Sequence, residues 1–442
     1  MSSSHKSPSN SQSGWTRTLV PLRDSNFRAY WMGVLFYFLA ININGVARGW
    51  LAWQMTGKAS FLGFISLCWG LPVVLISLYA GAIADRVDKR KVALRTQALI
   101  LLAPLAIALL LQTDTIQIWQ LAVIALMEGV VYSFNIPARM AWVPELVSED
   151  DLMSSMALNS GAMQATLVVG PALAALCFVL PFVGMTGTFY LIAASHFVAL
   201  LLIRFTHSTH VSFPATGEHV LKQMLEAAGY VASNARLRLL LGLAFLVLCL
   251  GSPFITLLPV FAGERVFDVG SRGFAVMAAV AGVGATAGAF AVGSWPHLLG
   301  RGRVQFLAGM AVGVGLFVFG LVQHFAIALL LLLLLGLTST GYSVITSTLI
   351  LAYADRRFHG RVMSIYILVG QLVWIVTMPI AAAADLVGVQ KTVMVLGAAL
   401  AVALAALRFG YAPYRRFDKP ESTVQVELEE EPSSLPRQSP PA

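Results

Sequence analysis

Long apolar blocks alternate with short polar connections along most of the chain. Each block holds about 20 residues or more, the length that an α-helix needs to cross the ~30 Å hydrocarbon core of a bilayer. Glycine and proline inside the blocks are compatible with helices, because membrane helices tolerate both. The pattern predicts an all-α membrane protein with twelve transmembrane helices, which we call spans one to twelve: Tyr30–Gln54, Phe61–Ala84, Val92–Leu111, Ile116–Asn135, Leu152–Leu180, Met185–Phe205, Leu237–Phe261, Gly273–Trp295, Val304–Gln323, Phe325–Tyr353, Val362–Leu386 and Thr392–Ala412.

The longest polar connection follows span six and divides the spans into two sets of six. The segment GAIADRVDKRKV, between spans two and three, partly repeats 212 residues later as GSWPHLLGRGRV, in the equivalent connection of the second set. Parallel six-helix repeats are a known transporter architecture. We therefore expect two pseudo-symmetric bundles at 27–205 and 237–412, an inter-bundle loop at 206–236, and disordered polar tails at 1–26 and 413–442.

Composition agrees with a membrane protein, since 58% of the residues are hydrophobic and 11% are charged. Soluble domains carry about 25% charged residues. Lysine and arginine concentrate on one side of the predicted membrane, and positive residues are retained in the cytoplasm, so we predict that both termini are cytoplasmic. The net charge of +8 then reflects topology and contact with the anionic lipid bilayer, and we expect no nucleic-acid binding. The other side holds few basic residues, namely Lys58, Arg265, Arg272 and Lys391.

Motifs for catalysis, cofactors or metals do not emerge from the sequence. The segment GKAS at 57–60 lacks the glycine pattern of a nucleotide-binding loop. Cys68, Cys177 and Cys249 all fall inside predicted spans, which leaves no loop disulfide and no metal-ligand spacing. We expect no enzyme activity, no cofactor and no metal.

The connection 81–92 has a glycine, an aspartate four residues later, and then basic residues. It resembles the signature between the second and third helices of the major facilitator superfamily. Further segments resemble the enterobactin-exporter and macrolide-efflux-like branch, the transmembrane secretion effectors. This resemblance implies a multi-pass transporter of the bacterial inner membrane with a small-molecule substrate, and we expect a monomer. The matching segments are LRDSNFRAYWMG (22–33), VARGWLAWQMTG (46–57), FNIPARMAWVPELV (134–147), LNSGAMQATLVVGPALA (158–174) and GRVMSIY (360–366).

The resemblance implies a latch on the cytoplasmic side. Asp85 would meet the positive N-terminal end of span eleven and release it when the halves rock apart. An anion at a helix N-terminus contributes ~0.3–1 kcal/mol. The alternative is that the segment only anchors the topology through its positive charge. In the second half His297 stands in the place of the aspartate, which predicts a weak or pH-dependent latch there. The residues assigned to the latch are Gly81, Asp85, Arg86, Lys89, Arg90 and Arg361.

Glu128 lies in the middle of span four, and Arg48 is the basic residue that falls well inside a predicted span. Ionisable groups inside a membrane usually face a cavity and mark a pathway. With a rise of ~1.5 Å per residue the two lie about 8 Å apart in depth, within reach of an arginine. We interpret Glu128 as a protonatable coupling group and Arg48 as its partner or a substrate anchor. A structural ion pair that braces spans one and four is the alternative.

Two positions bear on proton coupling through the resemblance. Many proton-driven exporters of the superfamily carry an arginine four residues before a glycine in span four, and here Ala125 precedes Gly129 at that spacing. Glu128 would then substitute for the usual coupling route. In span five, Gly170 and Pro171 match the antiporter motif of the superfamily, which favours an exporter, although an ordinary packing kink is the alternative.

Polar and aromatic side chains in spans one and ten are candidates for substrate contact. In span ten they recur every four residues and so share one helix face. Serine and threonine in membrane helices often bond only to their own backbone, which is the alternative. The candidates are Asn42, Asn44, Trp50, Thr338, Tyr342 and Thr346; we interpret His196 and Gln371 as packing or interhelical hydrogen-bonding residues.

The sequence thus predicts a secondary active transporter that works by alternating access. The favoured function is proton-coupled export of amphipathic small molecules, drug-like or siderophore-like, since an apolar and aromatic cavity suits such ligands better than sugars or amino acids. A metabolite importer or uniporter on the same fold is the first alternative. A non-transporting membrane sensor is the second, and the short soluble connections argue against it.

Overall fold

The computed structural model describes residues 19–84, 87–208, 220–263, 266–294, 302–410 and 414. In this part of the chain twelve spans are long and apolar enough to cross a membrane, which confirms the prediction. Most of the predicted N-terminal tail and nearly all of the predicted C-terminal tail lie outside the described residues, as do Asp85, Arg86 and His297. The described end of the N-terminal tail forms a short 3-10 helix, Val20–Arg23, and the first turn of span one.

The spans of the first half are the helices Ser25–Thr56, Ala59–Ala84, Lys89–Gln112, Ile118–Trp142, Glu149–Val179 and Gly184–Arg204. In the second half, span seven is formed by Ala235–Gly251 and Phe254–Ala262, and span eleven by His359–Gln371 and Val373–Val387. The other spans there are Gly270–Ser294, Gly302–Leu321, Phe325–Tyr353 and Val389–Gly410. A further helix, Val220–Ser233, lies in the connection between the halves, and we call it the linker helix.

Local chemistry fixes the ends of the first span. The Asp24 carboxylate accepts hydrogen bonds from the backbone N–H of Asn26 (2.6 Å) and Phe27 (3.0 Å), which satisfies donors that have no partner inside the helix. Gly57 follows the last turn with a φ of 61°, a conformation that glycine adopts without steric cost. The first span is therefore longer at both ends than its apolar core predicts.

The two halves repeat one packing arrangement. In the first half span two packs on span four, and span three packs on span six; in the second half span eight packs on span ten, and span nine packs on span twelve. Between the halves, span two packs on span eleven and span five packs on span eight. Twelve crossings return the chain to the side where it began. We call that side the terminal face and the other side the opposite face.

An acid at the opposite face ties the two halves together. The Asp385 carboxylate, near the end of span eleven, accepts hydrogen bonds from the backbone N–H of Ala59 (2.7 Å) and Ser60 (2.8 Å) at the start of span two. The partial positive charge of a helix N-terminus favours an anion there. The halves are thus held closed at this face by a contact between span eleven and span two.

Close helix packing continues this closure toward the middle of the membrane. A Cβ added to Gly63 would lie 2.7 Å from the Ala381 Cβ, so only glycine allows spans two and eleven to approach this closely. Two turns deeper, the rings of Trp69 and Trp374 pack edge to face with 5.1 Å between their centroids. Small residues at such contacts are typical of membrane helix interfaces.

Candidate functional site

Glu128 and Arg48 lie together inside the first half. The Glu128 residue is 3% exposed, and the Arg48 guanidinium of span one donates from Nη1 to its Oε2 atom. Asn44, one helical turn from Arg48, donates from Nδ2 to the other carboxylate oxygen at 3.4 Å. The structure thus brings the two predicted intramembrane charges into one ion pair, which compensates the cost of burying either alone.

Small residues make room for this pair. A Cβ on Gly129 would lie 2.2 Å from the backbone oxygen of Trp69, so span four presses directly on span two beside Glu128. Ala125, one turn away, is fully buried. Since position 125 carries no arginine, the guanidinium beside Glu128 comes from span one. Burial of the Glu128 carboxylate makes the charge state of the pair sensitive to any separation of spans one and four.

A second buried cation lies beyond the end that the apolar pattern predicts for span four. The apolar pattern ended span four at Asn135, but the helix continues to Trp142 and contains Arg139, which is 5% exposed. Its Nε atom donates to Asn135 Oδ1 at 3.0 Å, and Nη2 donates to the Gln97 Oε1 atom of span three at 2.7 Å. The Tyr37 ring of span one lies 4.1 Å from the guanidinium carbon. Arg139 is therefore held by neutral groups and an aromatic face.

This network extends to span six. Gln97 Nε2 donates to the His196 backbone oxygen at 3.0 Å and lies 3.2 Å from its Nδ1 atom. Asn135 Nδ2 donates to Thr96 Oγ1 at 2.8 Å. We call Tyr37, Thr96, Gln97, Asn135, Arg139 and His196 the Arg139 cluster. His196 takes part in an interhelical contact, in agreement with its expected packing or hydrogen-bonding role. The four-residue spacing of Asn135 and Arg139, which places them on one helix face, is the sequence feature that could have indicated the rest of the cluster.

The described residues of the predicted latch contact groups at the terminal face. Lys89 Nζ pairs with Glu145 at 2.6 Å, and Arg90 Nη2 donates to the Arg204 backbone oxygen at 2.6 Å. Arg361 Nη1 pairs with Glu226 of the linker helix at 3.0 Å. Gly81 lies in the helix of span two. The contact between Asp85 and span eleven falls outside the described residues and stays a prediction, as does the latch.

Gly170 of the expected antiporter motif lies at a close contact between spans one and five. A Cβ at this position would lie 2.5 Å from the Asn42 Cβ. Asn42 Nδ2 donates to Thr166 Oγ1 of span five at 3.2 Å and to the Phe38 oxygen at 2.9 Å. Pro171 is buried beside it. In this conformation Asn42 and Gly170 join two helices of the first half.

The polar stripe of span ten faces span nine in this conformation. Thr346 is fully buried and accepts a hydrogen bond from Gln305 Nε2 at 2.9 Å. The Tyr342 ring packs on Gly309, where an added Cβ would lie 3.1 Å from Cε2. Thr338 donates to its own helix, at the Leu334 oxygen. The structure therefore gives this stripe a packing role, and its predicted contact with substrate stays a prediction.

Trp50 and Gln371 occupy different parts of the molecule. Trp50 stacks on Phe274 of span eight with 6.0 Å between ring centroids, so span one touches the second half near the opposite face. Gln371 Oε1 accepts a hydrogen bond from Trp374 Nε1 at 3.1 Å, across the break between the two helices of span eleven. Within the described ranges, no group of three or more His, Cys, Asp or Glu side chains could hold a metal ion.

Comparison with known proteins identifies the class of this molecule. Residues 16–435 match the model of the transmembrane secretion effector family. The staphyloferrin A transporter of Staphylococcus aureus is 23% identical over 364 residues, which cover 81% of this chain and 90% of that protein. The enterobactin exporter of Escherichia coli O1:K1 is 23% identical over 348 residues, covering 77% of this chain and 80% of that protein.

Solved structures agree on the fold. A bacterial homologue of the human lysosomal transporter Spinster, inward-facing and unoccupied, gives a TM-score of 0.70 at 14% identity and covers 92% of this chain and 98% of its own. The nucleoside transporter NupG gives a TM-score of 0.69 at 11% identity and covers 87% of this chain and 99% of its own. At such identities the likeness concerns the fold alone. Taken with the family match over residues 16–435, these findings establish that the chain belongs to the transmembrane secretion effectors, multi-pass transporters of the major facilitator superfamily.

Proposed function

We propose that this transporter is a proton-coupled exporter of amphipathic small molecules and that Glu128 is its coupling carboxyl group. The observation that carries the proposal is the ion pair of Glu128 with Arg48, buried in the middle of the first half. Arginine remains charged at all physiological pH values, so a proton that reaches the pair binds to Glu128. Protonation would remove the charge attraction between spans one and four.

The position of Arg48 supports a link between this proton and the motion of the halves. Its neighbours Gly49 and Trp50 contact the second half: a Cβ on Gly49 would lie 3.6 Å from Pro259, and Trp50 stacks on Phe274. A shift of Arg48 on loss of the Glu128 charge would therefore move the part of span one that contacts spans seven and eight.

Asp385 supplies a second element of the proposed cycle. Its hydrogen bonds to the start of span two hold the opposite face closed. These bonds must break before the opposite face opens, because they join residues of different halves. We propose that the terminal face is cytoplasmic, as the distribution of lysine and arginine predicts, so that breaking the Asp385 contact precedes release of substrate to the outside.

The relatives indicate the substrates to test first. Two of them are named for staphyloferrin A and enterobactin, and the matched regions cover 90% and 80% of those two proteins. We propose siderophore-like or drug-like amphipathic molecules as the substrate class. Enterobactin, staphyloferrin A and a panel of amphipathic drugs and dyes are the probes for accumulation in everted membrane vesicles energised by a proton gradient.

The decisive experiment replaces the carboxyl group without changing its shape. Glu128→Gln should abolish accumulation against a gradient and substrate-induced proton flux, while substrate binding and downhill exchange persist, because the amide cannot bind and release the proton. Glu149→Gln, at an exposed acid in the first turn of span five, is the matched control and should transport normally. Uphill transport by Glu128→Gln with unchanged pH dependence would leave Glu128 as a structural brace.

A further inference from the structure

A cavity of about 420 Å³ opens at the opposite face where the two halves meet. Its size falls within the range of sites that hold drug-sized ligands. It lies apart from the Arg48–Glu128 pair, beside the last two turns of span one. The lining residues are Trp50, Trp53, Gln54, Gly57, Ala262, Gly263, Asp268 and Gly270, and we call this cavity the vestibule.

Two indole rings form one wall of the vestibule. Trp53 lies against the backbone of Gly263, where an added Cβ would lie 2.8 Å from its Nε1 atom. Trp50 is held by its stacking on Phe274. Within the described part of the chain neither indole N–H donates a hydrogen bond, whereas Trp119 donates to Gln117 at 2.6 Å. The two rings therefore line the vestibule with aromatic surface.

Asp268 is the only acid among the described lining residues of the vestibule. Asp268 is exposed and adopts a φ of 49°, in the left-handed region that few non-glycine residues occupy. The connection between spans seven and eight holds it there, because Asp268 N donates to the Gly263 oxygen at 3.1 Å and Val269 N donates to the Ala262 oxygen at 3.0 Å. Among the described residues the Asp268 carboxylate has no hydrogen-bond or ion-pair partner.

We propose that the vestibule is a second binding site, for an amphipathic organic cation with an aromatic or alkyl body. The faces of indole rings attract cations, and the attraction strengthens where water is excluded. Asp268 supplies the opposite charge, and no lysine or arginine is among the described lining residues. The ligand reaches the vestibule from the opposite face, so it can bind while the passage between the two halves is closed.

The experiment measures binding of a matched pair of probes to the full chain purified in detergent, by equilibrium dialysis without a pH gradient. Tetraphenylphosphonium and tetraphenylborate have nearly the same size and shape and opposite charges. We expect Asp268→Asn to weaken binding of the phosphonium about tenfold. Trp53→Leu should weaken it about five- to tenfold, which lies between the values for an exposed and a desolvated cation on an indole face. Tetraphenylborate binding should not weaken in Asp268→Asn and should strengthen, because the substitution removes a repulsive charge.

The chain offers close controls. Asp114 lies in another opposite-face connection with a φ of 50°, and Trp119 is an exposed tryptophan beside that same connection. Asp114→Asn and Trp119→Leu should leave phosphonium affinity within twofold of the original protein. The proposal is overturned if Asp268→Asn and Trp53→Leu bind the phosphonium normally, or if Asp114→Asn weakens it equally. Because the assay requires no transport, its outcome is independent of whether Glu128 couples protons.

Discussion

The two halves share one helix arrangement but bury different chemistry. Among the described residues, the buried charged side chains belong to the first half: Glu128, Arg139 and Glu145. The buried polar side chains of the second half are neutral: Gln305, Thr346, Thr377 and Thr392. Both halves have the same membrane around them, so the difference reflects what each half does and not the solvent that it meets.

Equivalent helix pairs show the contrast most directly. Spans three and six of the first half are joined by Gln97 and His196, and the Gln97 side chain also accepts a hydrogen bond from Arg139. Spans nine and twelve of the second half are joined by glycines: a Cβ on Gly313 would lie 2.9 Å from Ala401 N, and one on Gly397 would lie 2.4 Å from Phe317 N. The same crossing is made by hydrogen bonds in one half and by backbone contact in the other.

The two modes of packing suit the two halves to different tasks. Close backbone contact through small residues gives a stiff body, because helix surfaces without side chains have few alternative packings. The energy of buried hydrogen bonds and charges depends strongly on where their partners lie, because electrostatic interactions are stronger at low dielectric. The first half is thus suited to respond to a proton or a ligand charge, and the second half to move against it as a unit.

Among the substitutions that test this contrast between the halves, Gln97→Leu should cause the largest loss of stability. The substitution removes the acceptor of Arg139 Nη2 and leaves a buried guanidinium short of a partner, which should cost about 3 kcal/mol or more in stability. The double variant Gln97→Leu with Arg139→Met should recover most of that loss, because it removes the stranded charge too. Thermal unfolding in detergent, read for the single and double variants, measures the coupling. An additive double variant would mean that the Arg139 cluster does not act as a unit.

The spans and part of the candidate site could be predicted from the sequence. Apolar block length predicted all twelve spans, because backbone polar groups in lipid have to be satisfied within a helix. The rarity of mid-span charges and the rise per residue matched Arg48 and Glu128 in depth, and the resemblance to the major facilitator superfamily implied that spans one and four line the same cavity. The spans thus follow from constraints within one helix, whereas the pairing also needed the resemblance.

Other features depend on three-dimensional packing that the pattern does not encode. Span four was ended too early because Asn135, Pro137 and Arg139 resemble a polar helix end, although their buried partners keep them inside the helix. The four-residue spacing placed Tyr342 and Thr346 on one face of span ten, but periodicity does not state what that face contacts. The contact of Asp385 with the start of span two joins residues more than 300 positions apart.

A smaller loss of stability is expected from Gly284→Ala in the second half. The added methyl group would lie 2.0 Å from the Leu333 backbone oxygen, so spans eight and ten would have to separate. Overpacking of this kind costs about 1–3 kcal/mol. Gly293→Ala, in the same helix with no atom within 4 Å of its Cβ, is the matched control and should unfold at the original temperature. Equal behaviour of both variants would remove the case for a glycine-packed second half.

The smallest effect should come from Gln305→Leu, the counterpart of Gln97→Leu in the second half. Gln305 is fully buried, its Nε2 atom donates to Thr346 Oγ1 at 2.9 Å, and its Oε1 atom has no hydrogen-bond partner among the described residues. Leucine fills a similar volume and removes that unsatisfied acceptor, which offsets the lost hydrogen bond. The Thr346 hydroxyl can turn to a carbonyl of its own helix, as Thr338 does. We expect a change within about 0.5 kcal/mol by the same unfolding assay. A loss as large as that of Gln97→Leu would show that any buried glutamine is equally costly to replace, and the contrast between the halves would then not rest on the charge of Arg139.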